Sequence, residues 1–311
     1  MTILSGSWNN IPPLDEARSH PAVVTFQDEI YTFGGGGPNF KSLDSTVVFN
    51  PKTNQWTSRT PMPTKRSGTA AFCIDNAIYI IGGGYKKPDG NFQFLTTVEI
   101  YYPETDTWEA GPNMLQPHDY PAAIFHDDYI YILGGHHPNA CLGGPKTDPG
   151  FEFCERWKPG MTQWEKLADL RSPRFAASGF VFNNKLNVAG GIGFRKEGFN
   201  NFDFIETLDP GIAQAEWRMS ENFKLPWPAA GQGMCIAQEH LFFFGGYSTE
   251  NIHDRASVMP ENDGTWITLP NMPMARAAMG VSICENSIYL IGGWADDGRT
   301  PLSSAVKYSW K

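Results

Sequence analysis

Asp119, His136, His137 and Arg195 are the residues of this 311-residue chain that could carry acid–base chemistry together. A carboxylate, an imidazole and a guanidinium around one pocket supply a proton acceptor, a proton donor and a fixed charge. His136-His137 is the one adjacent histidine pair, and His118-Asp119-Tyr120 lies a short way upstream. Such a pair also raises the question of a metal. Neighbouring residues on a strand point to opposite faces, so both rings reach one ion only from a loop. The expectation is no metal and no cofactor.

The elements that must position these residues repeat along the chain. One phrase, four apolar or aromatic residues followed by Gly-Gly, occurs six times, with its first glycine at 34, 82, 134, 190, 245 and 292. A period near fifty residues marks a repeat array. The apolar run suits a strand covered on both faces, and the glycines permit positive φ and close approach of a neighbouring backbone. Sixteen residues before each first glycine stand Arg18, Arg66, His118, Arg174, Ala229 and Arg276. After the glycines comes a segment ending in Phe49, Tyr101, Trp157, Leu208 or Met259, then Trp56, Trp108, Trp164, Trp217 or Trp266. Each repeat reads as four short strands.

Arg, Gly-Gly, aromatic and Trp in fixed order closely resemble the kelch repeat, over nearly the whole chain. The resemblance implies an all-β, six-bladed propeller with four antiparallel strands per blade. One domain over residues 1–311 is expected, with blades at about 18–60, 66–112, 118–168, 174–220, 229–270 and 276–311. The sixth blade lacks a Trp after Tyr308, and residues 6–11 with Trp8 would supply its outer strand, leaving no open edge. The repeat Args are expected to bridge neighbouring blades, and the Trps to pack between sheets. Blade five is expected to be least regular in its third strand, Arg255–Met259.

Propeller function usually sits on the loops of one face. In kelch domains that act as substrate adaptors, two loop sets share that face. Carried over, the turn leading into each blade gives Ser19, Ser67, Asp119, Phe175, Ala230 and Ala277; the residues after Gly-Gly give Gly36, Gly84-Tyr85, His136-His137, Ile192, Tyr247 and Trp294. The rim would carry Tyr85, Tyr120, Phe194, Trp227, Tyr247 and Trp294 beside Asp119, His136, His137 and Arg195, a mixture suited to binding. Asp119 and Phe175 depart from the adaptor serine. The Glu-xxx-Asp-xxx-His spacing of iron-dependent specifier proteins is absent. The leading expectation is recognition of a peptide, protein or small ligand at the channel mouth. The alternative is a cofactor-free isomerase, mutarotase or lyase in the same pocket, as a bacterial sialic-acid mutarotase is a kelch propeller. Blade three abandons the Arg, and long connections follow Gly135 and Gly191, so the ligand is expected nearest blades three and four, with Tyr247 and Trp294 across from it.

Composition sets the remaining bounds. Twenty-four Lys and Arg against 33 Asp and Glu leave a charge of −9, a poor basis for nucleic-acid binding. No apolar run is long enough for a membrane helix and no signal peptide is visible. Cys73, Cys235 and Cys284 read as small hydrophobes, and Cys141 and Cys154 would pair only under oxidising conditions. A reduced, monomeric, cytoplasmic protein is expected.

Overall fold

The second strand of each repeat is apolar because both of its faces are covered. Ile30, Tyr31 and Phe33, Ile78, Ile80 and Ile81, and Leu241 through Phe244 are all buried. The computed structural model describes residues 5–142, 150–195, 198–221, 224–249, 251–260, 264–295 and 300–310; the side chains at 141, 142, 194 and 195 lie outside that description.

These strands are the second members of six four-stranded antiparallel sheets. Blade one is Ala22–Phe26, Glu29–Phe33, Thr46–Asn50 and Gln55–Arg59; blade two is Ala70–Ile74, Ala77–Ile81, Val98–Tyr102 and Thr107–Ala110. Blade three is Ala122–His126, Tyr129–His136, Gly150–Trp157 and Glu165–Lys166; blade four is Ser178–Phe182, Lys185–Ala189, Ile205–Leu208 and Arg218–Met219. Blade five is Gly233–Ala237, His240–Phe244, Ala256–Pro260 and Ile267–Leu269. Its third strand pairs in regular register from His240↔Pro260 to Phe244↔Ala256, so the irregularity expected there is not found. Two small hairpins, Gly84–Lys86 with Phe92–Phe94 and Ile192–Arg195 with Gly198–Asn201, rise beyond blades two and four.

Blade six joins both ends of the chain. Gly280–Cys284, Ser287–Ile291 and Ala305–Ser309 are completed by Ser7–Ile11, with Trp8 opposite Tyr308. The indole of Trp8 donates to Pro270 O at 2.8 Å, as Trp56 does to Pro12 O, Trp108 to Thr60 O, Trp164 to Pro112 O, Trp217 to Ala168 O and Trp266 to Lys224 O. Each Trp thus ties its blade to the segment leaving the blade before, and Trp8 is the sixth of the set.

The glycines fasten the next blade. The second glycine donates its N–H to the carbonyl at the Arg position of the following blade, from Gly35 to Arg66 O at 2.9 Å round to Gly293 to Arg18 O at 2.9 Å. The first glycine has positive φ, and a Cβ on Gly82 would lie 2.7 Å from His118 O, so no other residue fits. The repeat Args act differently from expectation. Their guanidinium groups bond the first glycine carbonyl of their own blade, Arg66 to Gly82 O and Arg174 to Gly190 O both at 3.0 Å. The crossing between blades is made by the Arg backbone, whose carbonyl accepts from the second glycine and whose N–H donates to the preceding blade, as Arg66 does to Leu43 O at 3.0 Å. Hydrophobic clusters fill each blade–blade junction, Phe33 with Ile78 and Tyr101 between blades one and two being typical.

Candidate ligand-binding site at the loop face

The two loop sets meet through their backbones. Isolated bridges pair Ser19 with Gly36, Ser67 with Gly84, Phe175 with Ile192, Ala230 with Tyr247 and Ala277 with Trp294, and His136 N–H donates to Asp119 O at 2.7 Å. One residue further on, the chain closes a circle. His20 N–H donates to Ala278 O, Gly68 to His20 O, Tyr120 to Gly68 O, Ala176 to Tyr120 O, Gly231 to Ala176 O and Ala278 to Gly231 O, at 2.6 to 3.2 Å. All six residues have φ between 51° and 62°. The circle frames the channel mouth, a hollow of about 150 Å³.

Beside it, over blades one to three, lies a cavity of about 270 Å³. His20 and Tyr120 stand between the two hollows, Trp294 of blade six closes one side, and Phe94 and His136 the other. Ser19, Ser67 and Asp119 are its buried polar members, and Phe40 and Phe92, 50% and 40% exposed, form the rim.

Asp119 is 3% exposed and accepts a hydrogen bond from His136 Nδ1 at 2.8 Å. Burial pushes its carboxyl above the usual range, and the bond to His136 offsets part of this. Gly68 and Gly84 leave room beside its other oxygen, where a Cβ would come within 2.8 and 3.3 Å. Burial, and secondarily the charge of His136, push His20 down to about 3, so the ring is neutral. Burial raises the Tyr120 phenol, with Asp119 adding to the shift.

Six of the expected residues, Ser19, Ser67, Asp119, Tyr120, His136 and Trp294, come together around this cavity. Phe175 lies against His136, ring centroids 3.8 Å apart. His137 turns elsewhere, accepting the Asn139 N–H at 3.0 Å with its ring edge-on to Phe151. Tyr85 meets Lys65, and Tyr247 approaches Trp294 only at 6.4 Å. The side chains of Phe194 and Arg195 lie outside the described residues. The cavity sits over blades one to three rather than three and four. The blade-four hairpin pairs with itself, and Asn201 bonds Tyr247 O of blade five at 2.9 Å, away from it.

Two departures from the repeat are structural replacements. Trp227, expected at the rim, is 7% exposed, and its indole donates to Gly245 O at 3.1 Å. That is the bond made elsewhere by the Arg which blade five lacks. His118 does the same in blade three: Nδ1 donates to Gly134 O at 2.6 Å and Nε2 faces Glu155 at 3.0 Å. Glu99, Glu155 and Glu206, unnoticed in the sequence, lie two residues before the aromatic mark and complete these anchors. Glu206 holds Arg174 at 2.5 Å and accepts the N–H groups of Arg171 and Ser172. His118, His136 and His137 therefore bond separate partners, and no group of three or more His, Cys, Asp or Glu among the described residues is placed to hold a metal.

His20, Phe40, Phe92 and Phe94 were missed. A signal existed for His20: the circle position is Gly or Ala in four repeats and His20 or Tyr120 in two. Among the described residues, no helix is long and apolar enough to cross a membrane. Cys73, Cys154, Cys235 and Cys284 are free, and the Cys141 side chain is outside the description.

Residues 2–148 match the family model described as the KLHDC2/KLHL20/DRC7 Kelch-repeats domain. The chain is 28% identical to alpha-scruin of Limulus polyphemus over 251 residues, 78% of this chain and 26% of that protein. It is 23% identical to Kelch-like protein terF of Aspergillus terreus, covering 96% of this chain and 67% of the relative. To human Kelch-like protein 23 it is 27% identical, covering 97% of this chain and about half, 49%, of that protein. A solved structure titled "Structure of YjhT" shares the fold, with a TM-score of 0.77, 18% identity and 97% of each chain covered. With six blades built on one Gly-Gly phrase and fastened by Trp, glycine and Arg-position bonds, the chain is a six-bladed kelch-type β-propeller, similar to the kelch-repeat proteins over the residues matched.

Proposed function

We propose that this chain, as one propeller unit over residues 1–311, is a binding module. Its loop-face cavity receives a side chain of a protein or peptide partner, or a small ligand. Kelch-repeat domains typically mediate protein–protein interaction. The observation that carries the reading is the cavity itself: an apolar, ring-lined hollow with a few buried polar groups, over backbone held by the hydrogen-bonded circle. We place the protein in the cytoplasm as a monomer, a compartment that keeps its thiols reduced. Peptides selected from a displayed random library against the protein should lose at least tenfold in affinity for Ser67→Trp, which fills the cavity. Selected peptides that bind both forms equally would refute the placement.

The Asp119–His136 hydrogen bond favours a second reading, cofactor-free acid–base catalysis in the same cavity. A buried carboxylate that fixes an imidazole is the arrangement a proton-shuttling isomerase or lyase needs. Accelerated anomer interconversion of a reducing sugar, or proton exchange at the carbon α to a carbonyl of a bound small molecule, abolished in His136→Gln, would favour it over binding alone.

A further inference from the structure

We propose that the cavity over blades one to three is an aromatic cage for a methylated ammonium group. The proposal rests on the binding reading above and names the chemistry of the ligand.

The wall is an unbroken succession of rings. Trp294 meets His20 at 4.7 Å, His20 meets Tyr120 at 4.3 Å, Tyr120 meets His136 at 5.2 Å, and His136 lies parallel to Phe94 at 5.6 Å. Aromatic faces carry the negative lobe of a quadrupole, and such faces around a space shielded from water attract a cation. Asp119 adds the formal charge. Its Oδ2 takes the His136 proton, while Oδ1 has no hydrogen-bond partner among the described residues, although Asp119 is 3% exposed. Its carboxyl is held above the usual range by burial, which a cation in the cavity would relieve.

The same lining argues against an anion. No Lys or Arg is among the described lining residues, and His20 is neutral. His136 is already paired with Asp119, so a carboxylate or phosphate would face that buried carboxylate with no free compensating charge. Lys86 places its ammonium over Phe40 at 5.7 Å, at the rim rather than within. Methylation suits this lining better than a bare ammonium. A bare ammonium brings three N–H donors, and each needs an acceptor when desolvated. Methyl groups spread the charge and pack on rings. A volume of about 270 Å³ holds a headgroup or side-chain end rather than a larger molecule.

The group has two sources, a free quaternary amine or a methylated lysine of a protein. The test is calorimetric titration of the intact protein with four probes: choline, its neutral carbon isostere 3,3-dimethylbutan-1-ol, a trimethyllysine peptide, and the same peptide with unmodified lysine. At least one methylated cation should bind tenfold or more tightly than its counterpart. Binding by choline alone identifies a free amine, and binding by the methylated peptide alone identifies a protein. Trp294→Ala and Asp119→Asn should each weaken it at least tenfold. Phe92→Ala, at the exposed rim, should weaken it about threefold with folding intact. Equal binding of cation and counterpart, no binding by any probe, or unchanged affinity in all three variants overturns the proposal. Neutral or carboxylate peptides that bind while the cations do not would overturn the cage alone. Failure of the binding-module reading has a separate signature, in which Ser67→Trp leaves every ligand's affinity intact.

Discussion

Trp227 tells a structural replacement from a binding residue. Its indole N–H supplies the bond to Gly245 O at 3.1 Å, and its ring packs on Phe243 at 4.6 Å between centroids. Trp227→Phe keeps most of the packing and removes the donor. It leaves a buried carbonyl unsatisfied, which costs about 1–3 kcal/mol. Trp227→Ala removes the packing as well, and burial of an aromatic of this size contributes about 3–5 kcal/mol. The alanine variant should therefore lose about 5 kcal/mol, comparable to the whole stability of a marginal domain. Urea unfolding followed by far-ultraviolet circular dichroism measures both, with the denaturant slope unchanged. Affinity at the cavity should be preserved in Trp227→Phe, because Trp227 does not line it. A rim residue would give the reverse, weaker binding at full stability. If Trp227→Phe costs less than about 0.5 kcal/mol, the usual range for surface changes, the indole is not standing in for the missing Arg.

Removing residues 1–12 should lower the melting temperature by about 10 °C, since burial of Ile11 and the packing and bond of Trp8 amount to about 3–5 kcal/mol; a change of a degree or two in a thermal-shift assay would sink the closure. His20 titrates near 6.5 when unfolded and near 3 when folded, so the unfolded chain takes up a proton between these values that the folded chain does not. Stability is full above pH 6.5 and falls as pH drops toward 3; Asp119, whose folded value is raised, acts in the opposite sense at the acid end. His20→Asn should flatten the wild-type slope of melting temperature between pH 6.5 and 4.5, and an unchanged slope would show that His20 is not held neutral.

The blades were legible because each repeats the same requirement. A strand covered on both sides must be apolar, and a backbone approached by its neighbour must be glycine, so six copies of one phrase outweigh any single propensity. Trp8 was legible as the missing sixth Trp. The cavity was half legible. Asp119, Tyr120 and His136 sit at fixed offsets from the repeat marks, whereas Phe40, Phe92 and Phe94 lie in connections of differing length with no register to count from. His118 and Trp227 misled for one physical reason. The carbonyl of the first glycine needs a buried donor, and the chain supplies it by imidazole or indole from nearby positions as well as by guanidinium. Loss of a consensus residue there signalled substitution, not ligand binding. The buried Glu99, Glu155 and Glu206 were hidden because a lone acid in a strand reads as solvent-facing.

The six-membered backbone circle separates the identity of a residue from the geometry of its main chain. Every N–H and carbonyl around the loop is engaged by its neighbour, and the last link, Ala278 with His20, leaves no frayed end. Glycine, alanine, histidine and tyrosine all adopt the same left-handed conformation on it. The loop therefore works like a bezel, a rigid mount into which different stones are set. Replacing His20 or Tyr120 by another side chain alters what projects into the mouth without disturbing how the blades join. A lineage of such propellers has a route from one ligand to another that bypasses refolding.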